Sequence, residues 1–379
     1  MGSNYSEKAR AGCAFSFRDR HARLSSREKA RSCMRGFGNS QGFVIPESVM
    51  AGLLPALTAA ALILSPGTSP GAANVERAVA PRPIGELKRT ATIHLGKTAD
   101  WVAITADAVW VGSTGPFAVH RIDPTTNTRV ATVKLQGEPC AGLATGFGSL
   151  WVPLCGKPAT LARVDLKSGQ LANVLMIGPA AAEGGVTTSA DSVWLVVDND
   201  GSLARIDPGA GTIRQIVHLP AGSHNPLYYD GRIWVTRADG SELTSVDAAT
   251  GAVLATARTG PGPRFLTAGA GALWTLNQGD GSLTRVDTQT GAATHTTALG
   301  IPGKGGDIGF GGGMIWTTVA KVPLSMIDGA TAALLCQWAG PGGDSLGIGH
   351  GAIWLTDYHA GTISRIELDD ALAGCKVSH

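Results

Sequence analysis

The chain has 379 residues, 44% of them apolar, 6% aromatic and 52 of them Gly, with a formal net charge of +2. That composition is rich enough for a large core, and Gly without a three-residue period excludes a collagen-like chain. The charge is uneven: nine Lys or Arg face three acids in residues 1–45, whereas 22 basic face 25 acidic residues from Asn74 onward. A nucleic-acid binder is expected to carry its basic surface on the folded part, so this function class is set aside.

Residues 1–45 show no hydrophobic periodicity and read as a basic, disordered extension. Cys13 and Cys33 lie there without evident partners. Residues 46–73 contain the apolar run VMAGLLPALTAAALIL, followed by Ser-Pro-Gly turn chemistry and small residues. This is the pattern of a secretory signal peptide cleaved between Ser65 and Asn74, or of a short membrane anchor if cleavage does not occur. The expected location is extracytoplasmic, secreted or at the periplasm or cell surface, with membrane contact only through an uncleaved segment. Residues 74–86 read as a Pro-bearing linker.

From residue 87 to the end the chain repeats. Trp110, Trp151, Trp194, Trp234, Trp274, Trp316 and Trp354 are spaced by 41, 43, 40, 40, 42 and 38 residues. A period near 40 with short strand-like segments predicts an all-β, seven-bladed propeller with four-stranded blades. Each unit supplies a small, Gly/Ala-rich inner strand, a Trp-bearing second strand, a third ending in Arg-Ile-Asp or its equivalent, and a Thr-rich outer strand. Crowding at the axis favours small residues, and Trp one strand out is placed to fill the wedge between blades. Asp200-Gly201, Asp239-Gly240 and Asp280-Gly281 read as hairpin turns with positive φ. The Asp closing the third strand (Asp123, Asp165, Asp207, Asp247, Asp287, Asp328) is expected to cap the following turn, which favours a structural role. The last unit lacks an outer strand, and LKRTATIHL, residues 87–95, is a spare one. The expectation is that it completes blade seven and removes an open edge. Cys140 with Cys155, and Cys336 with Cys375, are the expected disulfides of an exported chain.

The unlike residues gather at the predicted funnel mouth. His224, Arg264, Asp307, Asp344 and Asp100 stand near the starts of inner strands. Arg237, Asp357, Tyr358 and His359 stand on the adjoining connections, while blades two and three offer Gly and Ala, expected to leave open space. One reading makes His224 a catalytic general base and the others a ligand-binding surface. Another has Asp307 and Asp344, with Asp100 and His359, hold a divalent cation, Mg²⁺ or Ca²⁺. A third has Arg264 pair with a neighbouring Asp and leaves the rest as solvated loop charges. Asp198-Asn199-Asp200-Gly201 resembles the start of a calcium loop, but no Glu stands at its twelfth position. His94, His218 and His295 are expected as exposed residues of outer strands.

The sentence G-x-[IL]-W-[VL]-T … DG-[ST]-[LI]-x-R-[IV]-D … TG resembles the propellers of the streptogramin (virginiamycin B) lyase-like group and the related YVTN-repeat proteins, over about residues 87–368. What the resemblance implies is elimination at a cyclic depsipeptide ester by His and Glu on neighbouring blades with bound magnesium. His224 occupies a suitable place in blade four; blade five has Arg264 at the matching place and no Glu beside it. The expected function is therefore an exported binding or interaction module acting through its funnel face on a small molecule or extracytoplasmic protein, as a monomer. The alternative is a metal-assisted lyase or hydrolase of a small cyclic or ester substrate.

Overall fold

The computed structural model describes residues 79–301, 303 and 305–375. The extension, the signal or anchor segment and residues 74–78 of the linker lie outside these residues. The rest forms seven four-stranded antiparallel blades in a ring. Strands are lettered A to D from the axis outward. Blade one runs Thr98–Ile104, Val109–Thr114, Ala118–Asp123 and Thr128–Lys134. In blade six, A to D are Asp307–Gly311, Met314–Val319, Val322–Asp328 and Leu334–Ala339.

Closure follows the sequence expectation. Blade seven takes A to C from Leu346–Gly349, Ala352–Asp357 and Thr362–Glu367, and its D strand is Arg89–His94 from the other end of the chain. Two features at the chain ends were not foreseen. Arg82–Pro83, within the predicted linker, adds a short fifth strand parallel to strand D of blade six. The tail after Glu367 coils into a seven-residue helix, Leu368–Gly374.

All seven repeat Trp residues are fully buried. Each is an aromatic of some 200 Å² wedged between blades, worth several kcal/mol at roughly 25 cal/mol per Å². The Arg of the repeat has a role that spacing alone did not disclose. Arg163, Arg205 and Arg365 sit on strand C opposite Trp151, Trp194 and Trp354 and lie over those rings, 5.3, 5.4 and 5.8 Å from the centroids. Each also donates to a carbonyl of the next blade: Pro208, Ala249 and Pro124 respectively. The last of these crosses from blade seven to blade one. Every Trp–Arg unit of this kind both fills a blade and links it to its neighbour.

The repeated Asp caps the C-to-D turn as expected. Asp207 Oδ1 accepts from the amides of Gly209 and Ala210, and Asp287 Oδ1 from those of Gln289 and Thr290. Four residues on, Gly169, Gly211, Gly251 and Gly291 take positive φ, and Asn127 and Ala332 fill that place in blades one and six. Of the three predicted B-to-C glycines, Gly201 and Gly281 have positive φ and Gly240 does not. Both expected disulfides are present, with Cα atoms 5.7 Å apart for Cys140–Cys155 and 5.9 Å for Cys336–Cys375. His94, His218 and His295 are exposed on outer strands.

Candidate functional site

The funnel face is built by the D-to-A and B-to-C connections, which place unlike side chains around a common axis. At its base all seven A strands border a narrow cavity of about 170 Å³. Trp101 of blade one and Phe265 of blade five cross it, ring centroids 6.3 Å apart, and both are buried. The left-handed backbone of Trp101 (φ 56°) and an irregularity in the pairing between Asp100 and Val102 turn that indole inward. Asp100 beside it keeps one carboxylate oxygen on the Trp101 amide, 2.7 Å away.

Above this floor lies a recess of about 260 Å³ between blades seven, one, two and three. Asp100, Glu138, Glu183 and Asp344 border it, with Tyr358, Trp101 and the hydroxyl residues Thr98, Ser113 and Thr114. A wider hollow of about 700 Å³ adjoins it and is lined by Asp344, Asp357, Tyr358, His359 and Lys321 with a rim of glycines. The carboxyls are crowded. Burial, then the charges of Asp344, Asp307 and Glu183, hold the Asp100 carboxyl well above its ordinary range. Burial, then Glu183 and Asp357, raise that of Asp344, against opposing pulls from the Gly306 amide and then His359. The Tyr358 hydroxyl is likewise pushed up, by burial and then by Glu138, Asp100 and Asp344.

Asp307 stands apart. Its Oδ1 accepts from the Ile308 amide, and its Oδ2 from the Ser345 hydroxyl at 2.6 Å and the Leu346 amide. Burial still outweighs these bonds and raises its pKa to about 6. It therefore ties blade six to blade seven, while Asp344 faces the recess. The two expected cation ligands do not form a common cage, and among the described residues no three His, Cys, Asp or Glu side chains are grouped so as to hold a metal ion. The residues present do not fit Mg²⁺ or Ca²⁺ at this place. The Asp198 carboxylate likewise serves a turn, accepting from the amides of Asp200 and Ser202.

His224 is buried and lies 3.1 Å by Nε2 from Arg264 Nη1. A guanidinium only donates, so Nε2 accepts and the ring is neutral. Burial and then the Arg264 charge lower its pKa to about 4. The lone pair that a general base would use is thus engaged. Arg264 also pairs with Glu183 at 3.1 Å, an acid where the sequence suggested an Asp. Arg237 is outside the recess, bonded to Asp239, Glu242 and the Ala221 carbonyl. Asp357 caps its own turn through the Ala360 amide. Tyr358 and His359 meet edge to face, centroids 5.4 Å apart.

Two acids escaped the sequence reading, Glu138 and Glu183. Glu183 sits in the run AAAEGG with φ 61°, and the signal was a charged residue beside the Gly pair of blade three. The small residues of blades two and three border the axial cavity, and they also bring neighbouring strands together. The Gly142 amide donates to the Gly184 carbonyl, and a Cβ on Gly185 would come within 2.3 Å of Asn225 Oδ1. Small residues here let neighbouring inner strands touch. An apolar groove of about 580 Å³ at the outer edges of blades five and six is lined by no titratable side chain among the described residues.

No family model matches the chain, and no curated protein matches it. Among solved structures it is similar to BamB from Moraxella catarrhalis, with a TM-score of 0.53 and 12% identity over 74% of this chain and all of that one. It is also similar to the computationally designed protein Ika8, with a TM-score of 0.55 and 13% identity over 73% of this chain and 98% of that one. At such identity the likeness shows the fold alone. It agrees with the propeller and does not single out the lyase-like or YVTN group.

Proposed function

We propose that the protein is exported and acts as a binding module whose funnel face receives a small molecule or protein segment bearing a cationic group. The supporting observation is the recess itself. Four carboxylates line it beside Tyr358 and Trp101; Arg264 is already shared between Glu183 and His224, and Lys321 borders only the adjoining hollow. Crowded, desolvated carboxylates are costly to keep charged, and an incoming ammonium or guanidinium would relieve that cost. An aromatic wall adds attraction for such a group. Two disulfides support an oxidising compartment.

The lyase-like alternative draws less support, because His224 Nε2 is engaged by Arg264 and the carboxylates do not group around an ion. Calorimetric titration with organic ammonium ions and with Lys- or Arg-bearing peptides tests the proposal. Binding is expected and should weaken at least tenfold in Asp100→Asn/Asp344→Asn. No binding at low salt, or equal binding by the double variant, would sink it. Turnover of a cyclic depsipeptide that is lost in His224→Ala would establish the alternative instead.

A further inference from the structure

Both ends of the folded chain meet at the boundary of blades six and seven. Arg82 and Pro83 pair with Trp338 and Ala339 on the outer edge of blade six, and Arg89–His94 then crosses to blade seven. From the other end, the helix Leu368–Gly374 reaches the same boundary, where Cys375 is bonded to Cys336 of that outer strand. Arg82 joins the two ends directly. Its guanidinium donates to the Gly374 carbonyl and pairs with Glu86 at 2.7 Å. Ile84, Leu87, Trp338 and Ala371 share one buried cluster with the cystine.

The loop that leaves this strand is Gly-Pro-Gly-Gly, residues 340–343, and the next residue is Asp344 of the recess. Gly340, Gly342 and Gly343 all have positive φ. Pro341 fixes its own φ, but the three glycines have little conformational preference of their own, so their neighbours set the path. A Cβ on Gly340 would lie 2.8 Å from Ile84 Cγ2, which places the N-terminal segment against the first residue of the loop. Pro323 packs against Gly343 and the Asp357 carboxylate against Gly342. Hydrogen bonds donated by the Gly340 amide to the Lys321 carbonyl and by the Gly343 amide to the Thr356 carbonyl complete the seat.

We infer that the clasp formed by residues 82–87 and the cystine-bound tail is a positioning device for the funnel. Seated, it holds the 340–344 loop so that Asp344 faces the recess. Released, it loosens that one wall and leaves the blades opposite as they are. The coupling rests on packing and holds whatever the funnel binds.

Hydrogen exchange on the full-length protein tests this by mass spectrometry. In Cys336→Ser/Cys375→Ser, and separately in Ile84→Ala, amides of residues 340–344 are expected to exchange about tenfold faster or more, with blades two to four unchanged. Removing the other disulfide by Cys140→Ser/Cys155→Ser should leave the 340–344 amides as protected as in the parent. Should the first variant fail to fold, Ile84→Ala decides alone. Unchanged exchange at 340–344 in the folded clasp variants, or equal loosening by the blade-two variant, overturns the inference.

Discussion

Two sets of aspartates occupy the same molecule and behave oppositely. Those at the C-to-D turns are solvent-facing, each accepting backbone amides, and their carboxyls lie below the ordinary range chiefly because of those bonds. Those of the funnel, Asp100, Asp307 and Asp344, lie deep among other acids, and burial raises them. The first set recurs with the repeat and holds the ring; the second is where the repeat departs from itself. Residue type alone separates nothing here. Donors and depth do.

The sharpest way to test that division is to remove what the repeat supplies. Deleting residues 87–96 takes away strand D of blade seven and should abolish the cooperative melt by circular dichroism; a transition like that of the parent would contradict closure by this strand. Trp274→Ala should cost about 3–5 kcal/mol, the range for a large buried aromatic, measured by denaturant unfolding, since its ring is wholly buried and its Nε1 bonds the Gly269 carbonyl. Substitution of single acids then sets the two classes against each other. Asp100→Asn keeps the acceptor for the Trp101 amide and sheds a crowded charge, so its melting temperature at pH 7 should rise by about 2 °C, what ~1 kcal/mol is worth in a domain of this size. Asp287→Asn should lower it slightly, because a carboxylate accepts those turn amides better than a neutral amide does. Two shifts of the same sign would erase the distinction.

The smallest effect is in pH. His120, buried between Ser113 and Thr132, and His224 both have folded pKa values of about 4 against 6.5 when unfolded. The unfolded chain binds their protons first, so their contribution is whole above pH 6.5 and is lost as pH falls toward 4. Asp307 runs the other way. Its folded value of about 6 exceeds the ordinary 3.8, so its contribution is present below 3.8 and is lost as pH rises through 6. The two partly cancel between pH 4 and 6. Asp307→Asn removes one side, and its melting temperature should fall more steeply than the parent's over that window.

Much of the ring was legible because it is written repeatedly. Trp spacing, closing Asp and the spare strand at residues 87–95 each carried one geometric consequence, and the cysteine pairs followed from where the strands put them. The funnel was only half legible. Inner-strand starts and B-to-C connections could be located, so Asp100, Asp344 and Tyr358 were found. Their neighbours across the axis come from blades distant in sequence, and no periodicity marks which side chain reaches across. Glu183 was passed over for that reason, and Asp307 was given to a cation because its three donors lie on its own amide neighbour and on the next blade. The small residues of blades two and three were read as vacancy alone; they do border the axial cavity, and they also permit backbone contact.

The closing strand also bears on how the chain is made. Thr92 meets Ser364 at a separation of 272 residues, so a ribosome must finish nearly the whole propeller before Arg89–His94 finds its partner. Until then this strand is a bare edge in a crowded cell, open to any other chain. Its alternation answers that hazard. Arg89, Thr92 and His94 interleave with Ala91 and Ile93, so the segment waits for its partner with charge and hydroxyls on one face and few apolar groups to lend a stranger.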